Sequence, residues 1–251
     1  DWTILSSYFG SQDIGLGFVQ VSDDYGYGVQ TVTIQGVTST NNNVGGYFGA
    51  FSDGAFTLAY QGVYIGYSDF SDNQYLGLGF LAVGSNNFAT GLGVAAQVVT
   101  IQGTYVDSTN NGDGMFVGAY AGDDYGRTFQ LFYIDNSSFD DNFDDGMDLG
   151  SSAYEGIVQQ YFYVTNSTID GNYGSGIEWT NYHTYYSLGF TSLYLGNSSA
   201  SNNATYGVGI YNDISYYSYL QQYVDVVFSA IDGNGSVGLG QLNVAYYSSA
   251  I

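Results

Sequence analysis

One repeated spacing constrains the fold of this chain more than any other feature. An Asn recurs about every 31 residues, and a Gly follows it four residues later. Repeats of fixed length are the signature of architectures in which similar units stack on one another. The Asn positions are Asn42, Asn73, Asn110, Asn142, Asn172, Asn203 and Asn234, with Ser11 in a first copy, and the Gly positions are Gly15, Gly46, Gly77, Gly114, Gly146, Gly176, Gly207 and Gly238.

Apolar residues alternate with other residues at the same places in each copy. Five residues after the Asn stand Met147, Ile177 and Val208, and seven residues after it stand Leu149 and Trp179. A second alternating run precedes each Asn. Alternation with a period of two predicts strands with one buried face, so each repeat contains at least two strands. Tyrosine pairs that follow the first run, such as Tyr185-Tyr186 and Tyr216-Tyr217, suggest a third strand.

The repeat length leaves no room for crossover helices, so we expect each coil to hydrogen-bond to the next at about 4.8 Å. Like residues would then stack inside the coils. The repeating Asn forms one such row, and amides suit it because each carries a donor and an acceptor. A second row contains Gln30, Gln61, Gln97, Gln130, Gln160 and Gln222, interrupted by Thr191. The repeating Gly is expected at a turn with positive φ or at a closely packed position.

The pattern Asn-x-x-x-Gly-Ile-x-Trp, from Asn172 to Trp179, resembles the coils of the right-handed parallel β-helix superfamily. That superfamily includes pectate-lyase-like enzymes, tailspikes and surface adhesins. The resemblance covers essentially the whole chain. It implies an all-β solenoid of about eight coils, with 31 residues per coil, forming a single domain from residue 1 to 251. Because the fold serves enzymes and inert stalks alike, the resemblance indicates little about function.

The charge balance excludes several classes of partner. The chain has 23 carboxylates against one Lys or Arg and one His, for a formal charge of -22. Nucleic-acid binding needs Lys and Arg, so it is not expected. No apolar run is long enough to span a bilayer. We expect an extracellular or cell-surface protein, secreted after removal of a signal, and an acidic habitat would explain a composition whose carboxylates lose their charge near a pH of about 2 to 3.

The most acidic stretch, Phe139 to Asp148, is the strongest functional candidate. Stacking would place Asp148 beside Glu178 at about 5 Å, the separation associated with retaining glycosidases. Three interpretations remain open: a solvated acidic face, a Ca²⁺ site with hard oxygen ligands, or a catalytic pair. No cofactor is expected apart from Ca²⁺, whose ligands would come from Asp140, Asp141, Asp144, Asp145 and Asp170.

The resemblance argues against catalysis. Pectate-lyase-like enzymes use Arg or Lys beside the sugar acid, and here Arg127 is the sole candidate, with Asp123 and Asp124 nearby. Polygalacturonase-like enzymes carry Gly-His-Gly, whereas His183 lies in Tyr-His-Thr. We therefore expect His183 to be a solvent-facing loop residue and the chain not to be an enzyme. The alternative is a glycoside hydrolase that uses Asp148 and Glu178.

Two surface features complete the candidates. Tyr64, Tyr133, Tyr163 and Tyr194 share one outward position, and such a row can stack on sugars or pack against another chain. The sequons at Asn136, Asn166 and Asn197 also share one position and are candidates for glycosylation in an extracellular glycoprotein. Glycans on all three would crowd one another, so an amide row is the alternative.

The sequence shows no capping helix at either end, and Ile251 would lead almost in phase into Asp1 of another copy. Stacking of copies head to tail would satisfy the open strand edges and generate filaments. The alternative is that the sequence is a fragment of a longer β-helix, which would have the same phase. We therefore expect a self-assembling subunit of an extracellular filament, sheath or adhesive stalk. Its partners would be its own copies, with glycans or cell-surface material as further candidates.

Overall fold

The computed structural model describes residues 1–85, 92–106, 112–122, 126–246 and 249–250. These residues form strands and turns, without a helix. Within the described ranges the chain thus offers no helical segment that could span a lipid bilayer. Asn110 lies outside the described residues.

Two parallel sheets form the walls of the solenoid. Every coil contributes one strand to each sheet, and neighbouring strands in a sheet come from successive coils. Sheet 1 contains β1 (Trp2–Leu5), β4 (Tyr27–Gln35), β7 (Thr57–Gly66), β9 (Gly93–Gln102), β11 (Arg127–Asp135), β13 (Ile157–Thr165), β15 (Leu188–Gly196), β17 (Tyr219–Val227) and β19 (Ser249–Ala250); sheet 2 contains β3 (Ile14–Asp23), β6 (Val44–Asp53), β8 (Leu76–Ser85), β10 (Asp113–Gly122), β12 (Met147–Tyr154), β14 (Ile177–Thr184), β16 (Tyr206–Ser215) and β18 (Val237–Tyr246).

A third row of parallel pairing closes each coil between the two sheets. It begins as β2 (Tyr8–Gly10) against β5 (Thr38–Thr40) and continues as single bridges. These bridges join one residue per coil, at Thr38, Asp69, Tyr105, Ser138, Thr168, Ser199 and Ala230. The prediction of a right-handed parallel β-helix is confirmed, with eight strands of sheet 2 stacked in about seven turns of roughly 31 residues.

The tyrosine pairs do not form the third strand that the sequence suggested. Tyr185 and Tyr186 have φ of 52° and 56°, and Tyr216 and Tyr217 have φ of 52° and 63°. This left-handed conformation is incompatible with a strand and marks a turn. The rings stack from coil to coil, with centroids 4.7 Å apart for Tyr185 and Tyr216, and such stacking offsets part of the backbone strain.

The core lies between the inward faces of the two sheets. Aromatic rings stack along its axis, with centroids 5.0 Å apart between Phe48 and Phe80 and again between Phe132 and Phe162. Trp179 continues this row by meeting Phe162 edge to face. The rings come from inward positions of both sheets, and the contact between Phe80 and Phe132 joins the two halves into a continuous aromatic row.

The repeating Asn is a buried ladder that ties successive coils together. The Oδ1 of Asn172 accepts the backbone N–H of Asn142 at 2.8 Å and its side-chain Nδ2 at 3.0 Å. Asn172 donates in turn to Asn203 at 2.9 Å, and Asn203 donates to Asn234 at 3.1 Å. At the other end Asn42 donates to Asn73 at 3.1 Å.

The repeating Gly makes room for this ladder. A Cβ on Gly146 would lie 2.7 Å from Nδ2 of Asn172, and one on Gly176 would lie 2.6 Å from Nδ2 of Asn203. Neither glycine has a positive φ. Close packing, rather than a left-handed turn, is therefore the reason for Gly at this position.

A second ladder, made of Gln side chains, runs along sheet 1. Gln61 donates to Gln30 at 2.7 Å, and the chain of bonds continues through Gln97 and Gln130 to Gln160 at 2.8 to 2.9 Å. Thr191 follows and is too short to continue it. Oε1 of Gln160, Oγ1 of Thr191 and Nε2 of Gln222 consequently have no protein partner, and Gln222 instead accepts a hydrogen bond from Asn212.

Asn172→Ala tests the contribution of the Asn ladder. The substitution removes the bonds to both neighbouring coils, including the acceptor for the backbone N–H of Asn142, so the unfolding free energy should fall by about 3 kcal/mol in chemical denaturation. Asn243→Ala is the control, because exposed Asn243 accepts a bond from Asn212 and its loss should cost less than about 1 kcal/mol. Equal losses in the two variants would contradict a stabilising buried ladder.

Candidate functional site

The candidate site is a cleft on the outer face of sheet 2, where β10, β12 and β14 lie side by side. Alternation fixes the direction of its side chains: Met147 and Leu149 are buried in the core, so Asp148 between them faces outward. The register pairs Asp148 with Glu178 on the next coil. The two residues are therefore one strand spacing apart, about 4.8 Å.

The cleft exists because small residues form its floor. Gly118, Gly150 and Thr180 are register partners on three successive coils. Asp148 and Glu178 border this row on one side, and the half-exposed Tyr120 and Tyr182 border it on the other. The cavity has a volume of about 410 Å³ and runs along the axis of the solenoid. A second depression, which shares Glu178, extends it toward Gly209 and Gly240.

Three more carboxylates gather at the edge of the cleft. Carboxylate oxygens of Asp113, Asp144 and Asp145 lie within 4.8 Å of one another. Oδ1 of Asp145 also accepts the backbone N–H of Ser175 at 2.5 Å. Asp113 was not among the sequence candidates. Its signal was its position three residues after the repeating Asn, the position that Asp145 occupies one coil later.

This crowding changes the acidity of the cleft. Burial, and to a smaller extent the charges of Asp113, Glu178 and Asp144, together raise the pKa of Asp148 to about 7. Burial likewise raises the pKa of Asp145 to about 7, against the lowering effect of the Ser175 backbone hydrogen bond. The pKa of Asp113 rises to about 6, again through burial first. Carboxyl groups that hold a proton near neutral pH are suited to general acid catalysis.

The predicted Ca²⁺ ligands separate into two groups. Asp144 and Asp145 lie in the cluster with Asp113, and three hard oxygen donors at this spacing could hold a divalent cation. Asp140 and Asp170 instead bind turn groups: Asp140 accepts the backbone N–H of Asp170 at 2.6 Å, and Asp170 accepts that of Ser201 at 2.6 Å. Asp141 has a φ of 55° and lies against Gly171 in the same turns. Ca²⁺ binding stays a prediction.

The prediction for His183 is wrong. His183 is a fully buried residue of β14, and its Nε2 lies 3.0 Å from Oγ of Ser151. Gly189 makes room for the ring, since a Cβ there would lie 2.6 Å from Cε1 of the imidazole. Burial lowers the pKa of His183 to about 4, so the ring is neutral at physiological pH. Every second residue of β14 from Ile177 onward is buried, and this alternation includes His183. The position of His183 in the strand therefore indicates burial.

Arg127 lies at the start of β11 in sheet 1 and is exposed, whereas the cleft lies on sheet 2. Asp123 and Asp124, predicted beside it, lie outside the described residues. None of the described residues that line the cleft is a cation.

The tyrosine row and the sequons lie on other surfaces. Tyr133, Tyr163 and Tyr194 face outward from sheet 1, and Thr100 separates them from Tyr64. Asn136, Asn166 and Asn197 are exposed at turns. Asn197 donates to Asn166 at 2.7 Å, which forms part of the amide row named as the alternative to glycans. Glycosylation stays a prediction.

The comparisons with known proteins bear on the fold and assign no function. No protein-family profile and no curated protein sequence matches the chain. The solved A-module of the mannuronan C-5 epimerase AlgE6 from Azotobacter vinelandii is similar at 14% identity, with a TM-score of 0.39. The alignment covers 88% of this chain, which spans 58% of the length of that structure.

One sequence-based expectation is corrected here. The chain was expected not to be an enzyme, but the structure to which it is similar is a module of a carbohydrate-modifying enzyme. That expectation is therefore wrong as stated. A likeness with a TM-score of 0.39 assigns no activity to this chain, so any function has to be argued from its own cleft.

Asp148→Asn tests the energetic cost of the cleft. The folded-state pKa of Asp148, about 7, lies above the unfolded value of about 4. Its stabilising contribution is thus complete below pH 4 and is lost as pH rises through 7. At pH 8 the neutral amide should raise the unfolding free energy by roughly 1 to 2 kcal/mol after allowance for solvent screening, and at pH 4 it should change little.

Asp232→Asn is the matched control for this titration, because it removes the same charge from an exposed turn residue. Thermal melts of both variants and the parent across pH 4 to 8 provide the comparison. An equal gain in both variants would indicate relief of overall repulsion and would contradict a special cost at Asp148.

Proposed function

We propose that the cleft binds a polysaccharide and that Asp148 and Glu178 cleave its glycosidic bonds. The observation that supports this most is the register of the pair, which holds two outward carboxyl groups one strand spacing apart. About 5 Å is the separation at which one carboxyl group can act as an acid while the other attacks the sugar. Fold-level likeness forms no part of this argument.

The two residues have different surroundings, which suggests their roles. Asp148 is half-buried with a pKa of about 7, so it can carry the proton that the leaving oxygen needs. Glu178 is exposed at the cleft surface, where it can act as nucleophile. In the first step Asp148 protonates the glycosidic oxygen, the bond to the anomeric carbon breaks, and Glu178 bonds to that carbon. In the second step Asp148 takes a proton from water, which displaces Glu178.

The cleft also favours one class of substrate. Its floor of small residues lets an extended chain approach the backbone along the solenoid axis, and Tyr120 and Tyr182 offer aromatic surface to sugar rings. Its described lining contains Asp145, Asp148 and Glu178 and no cation to pair with a sugar acid. We therefore propose a neutral polysaccharide. An extracellular location, expected from the composition, suits such a substrate and belongs to the same proposal.

Reducing-end release from a panel of neutral polysaccharides tests this function. Asp148→Asn and Glu178→Gln should each lower kcat by at least about 100-fold, whereas Asp232→Asn should be unchanged. The activity of the parent should fall as pH rises through about 7, where Asp148 loses its proton. Absence of cleavage across the panel, or full activity in both cleft variants, would rule the proposal out.

A second candidate is assembly by stacking of coils. Leu239 in β18 is 50% exposed, although its register partner Val208 on the preceding coil is fully buried. Trp2 in β1 is likewise exposed, although its register partner Val32 on the next coil is fully buried. A further coil would cover these residues, and we propose that another copy of the chain supplies it, which gives a head-to-tail filament of the extracellular kind predicted from the sequence.

Negative-stain electron microscopy of the purified chain tests this assembly. Filaments should form in the parent, and Leu239→Asp should abolish them because a charge would be buried at the joint. Leu242→Asp is the matched control, since Leu242 points outward from the same strand and is similarly exposed. Particles that remain single coil stacks at every protein concentration and pH would exclude the filament.

A further inference from the structure

The outer face of sheet 1 is almost free of charge, on a chain whose formal charge is -22. Outward side chains along β4, β7, β9, β11, β13, β15 and β17 are mainly aromatic, aliphatic or neutral. The charged residues at these outward positions are Arg127, Asp135 and Asp225. Nearly all of the repulsive charge therefore lies elsewhere, on the cleft face and on the turns.

Aromatic rings cover the middle of this face. Tyr133 and Tyr163 stack with centroids 5.3 Å apart and an interplanar angle of 17°, and Tyr194 follows Tyr163 at 6.4 Å. Phe129 packs beside them against Tyr161 at 6.0 Å. Tyr133 and Tyr163 are nevertheless 46% and 41% exposed.

The orientation of these rings argues against a sugar as the occupant. Stacking uses the ring faces inside the row, so solvent meets ring edges and hydroxyl groups. A sugar needs an open ring face to stack upon, whereas side chains of another protein can interdigitate between ring edges. The cleft on sheet 2 differs, because its tyrosines border a groove.

The size of the face matches what a stable dimer requires. Its strands are about nine residues long, or roughly 30 Å, and six steps of about 4.8 Å separate the seven strands. The face therefore measures on the order of 900 Å², and a standard stable interface buries about 800 Å² per partner.

We propose that this face pairs two copies of the chain side by side, through the same surface on each copy. A second copy is the occupant because two molecules of charge -22 can approach closely where neither presents charge. This lateral contact is independent of the cleft on sheet 2 and of stacking at the ends of the coils.

Tyr163→Asp tests the pairing by sedimentation or light scattering, because it places a carboxylate at the centre of the face. In the Leu239→Asp background, which cannot stack end to end, the chain should have twice the monomer mass, with the dimer favoured further at high salt, and adding Tyr163→Asp should make this dimer dissociate at least 100-fold more readily. Tyr186→Asp is the matched control: Tyr186 is 68% exposed on a turn outside this face, so the dimer should persist. Tyr133→Asp should behave as Tyr163→Asp does and serves if that variant fails to fold.

Three results would overturn the proposal. The parent could remain monomeric at high concentration and high salt, or Tyr163→Asp and Tyr133→Asp could remain dimeric. Alternatively, Tyr163→Asp could lose binding to a soluble neutral glycan without any change in mass, which would assign this face to sugars. Leu239→Asp separates this contact from stacking at the coil ends, since that substitution should leave the lateral dimer intact.

Discussion

Hydrogen bonding between successive coils, residue for residue, is the interaction on which the other features of this protein depend. The backbone of each coil pairs in parallel with the next, and buried Asn side chains repeat that bonding inside the solenoid. Asn172 and Asn203, for example, each accept a backbone N–H as well as the neighbouring side-chain amide. A shift of one residue would break this ladder and move the core positions to the surface.

The same register determines what the surfaces can do. Since equivalent positions lie one strand spacing apart, any residue type that recurs becomes a continuous row. Aromatic rings form a row on sheet 1, small residues form the floor of the cleft, and the register holds the carboxylate of Asp148 beside that of Glu178. The rows of aromatic rings and of small residues cost little free energy of folding, whereas the paired carboxylates oppose folding at neutral pH because like charges repel. Groups kept at such a cost are typical of functional sites.

The sequence was informative where the repeat was strict. Period, strand phase and the Asn and Gln rows follow from recurring residues, because stacking makes one coil a guide to the next. His183 was missed because the type of its side chain was given more weight than its row, in which Ala153 and Ile214 precede and follow it. Asp113 was missed because Asp145 one coil later is the one residue that repeats its carboxylate. The turns at Tyr185 and Tyr216 were misassigned, since aromatic residues favour strands and rarely adopt positive φ.

Stacking of the coils is held to bury the carboxyl groups of the cleft and to couple their titrations. NMR titration of the side-chain carboxyl carbons measures this directly. We expect Asp148 and Asp145 to titrate near pH 7 and Asp113 near pH 6. Glu178→Gln should lower the pKa of Asp148 by removing the neighbouring charge that the register imposes. If all three aspartates titrate near their ordinary value of about 4 and do not respond to Glu178→Gln, the carboxyl groups are neither buried nor coupled. That result would contradict the role of stacking in forming the cleft.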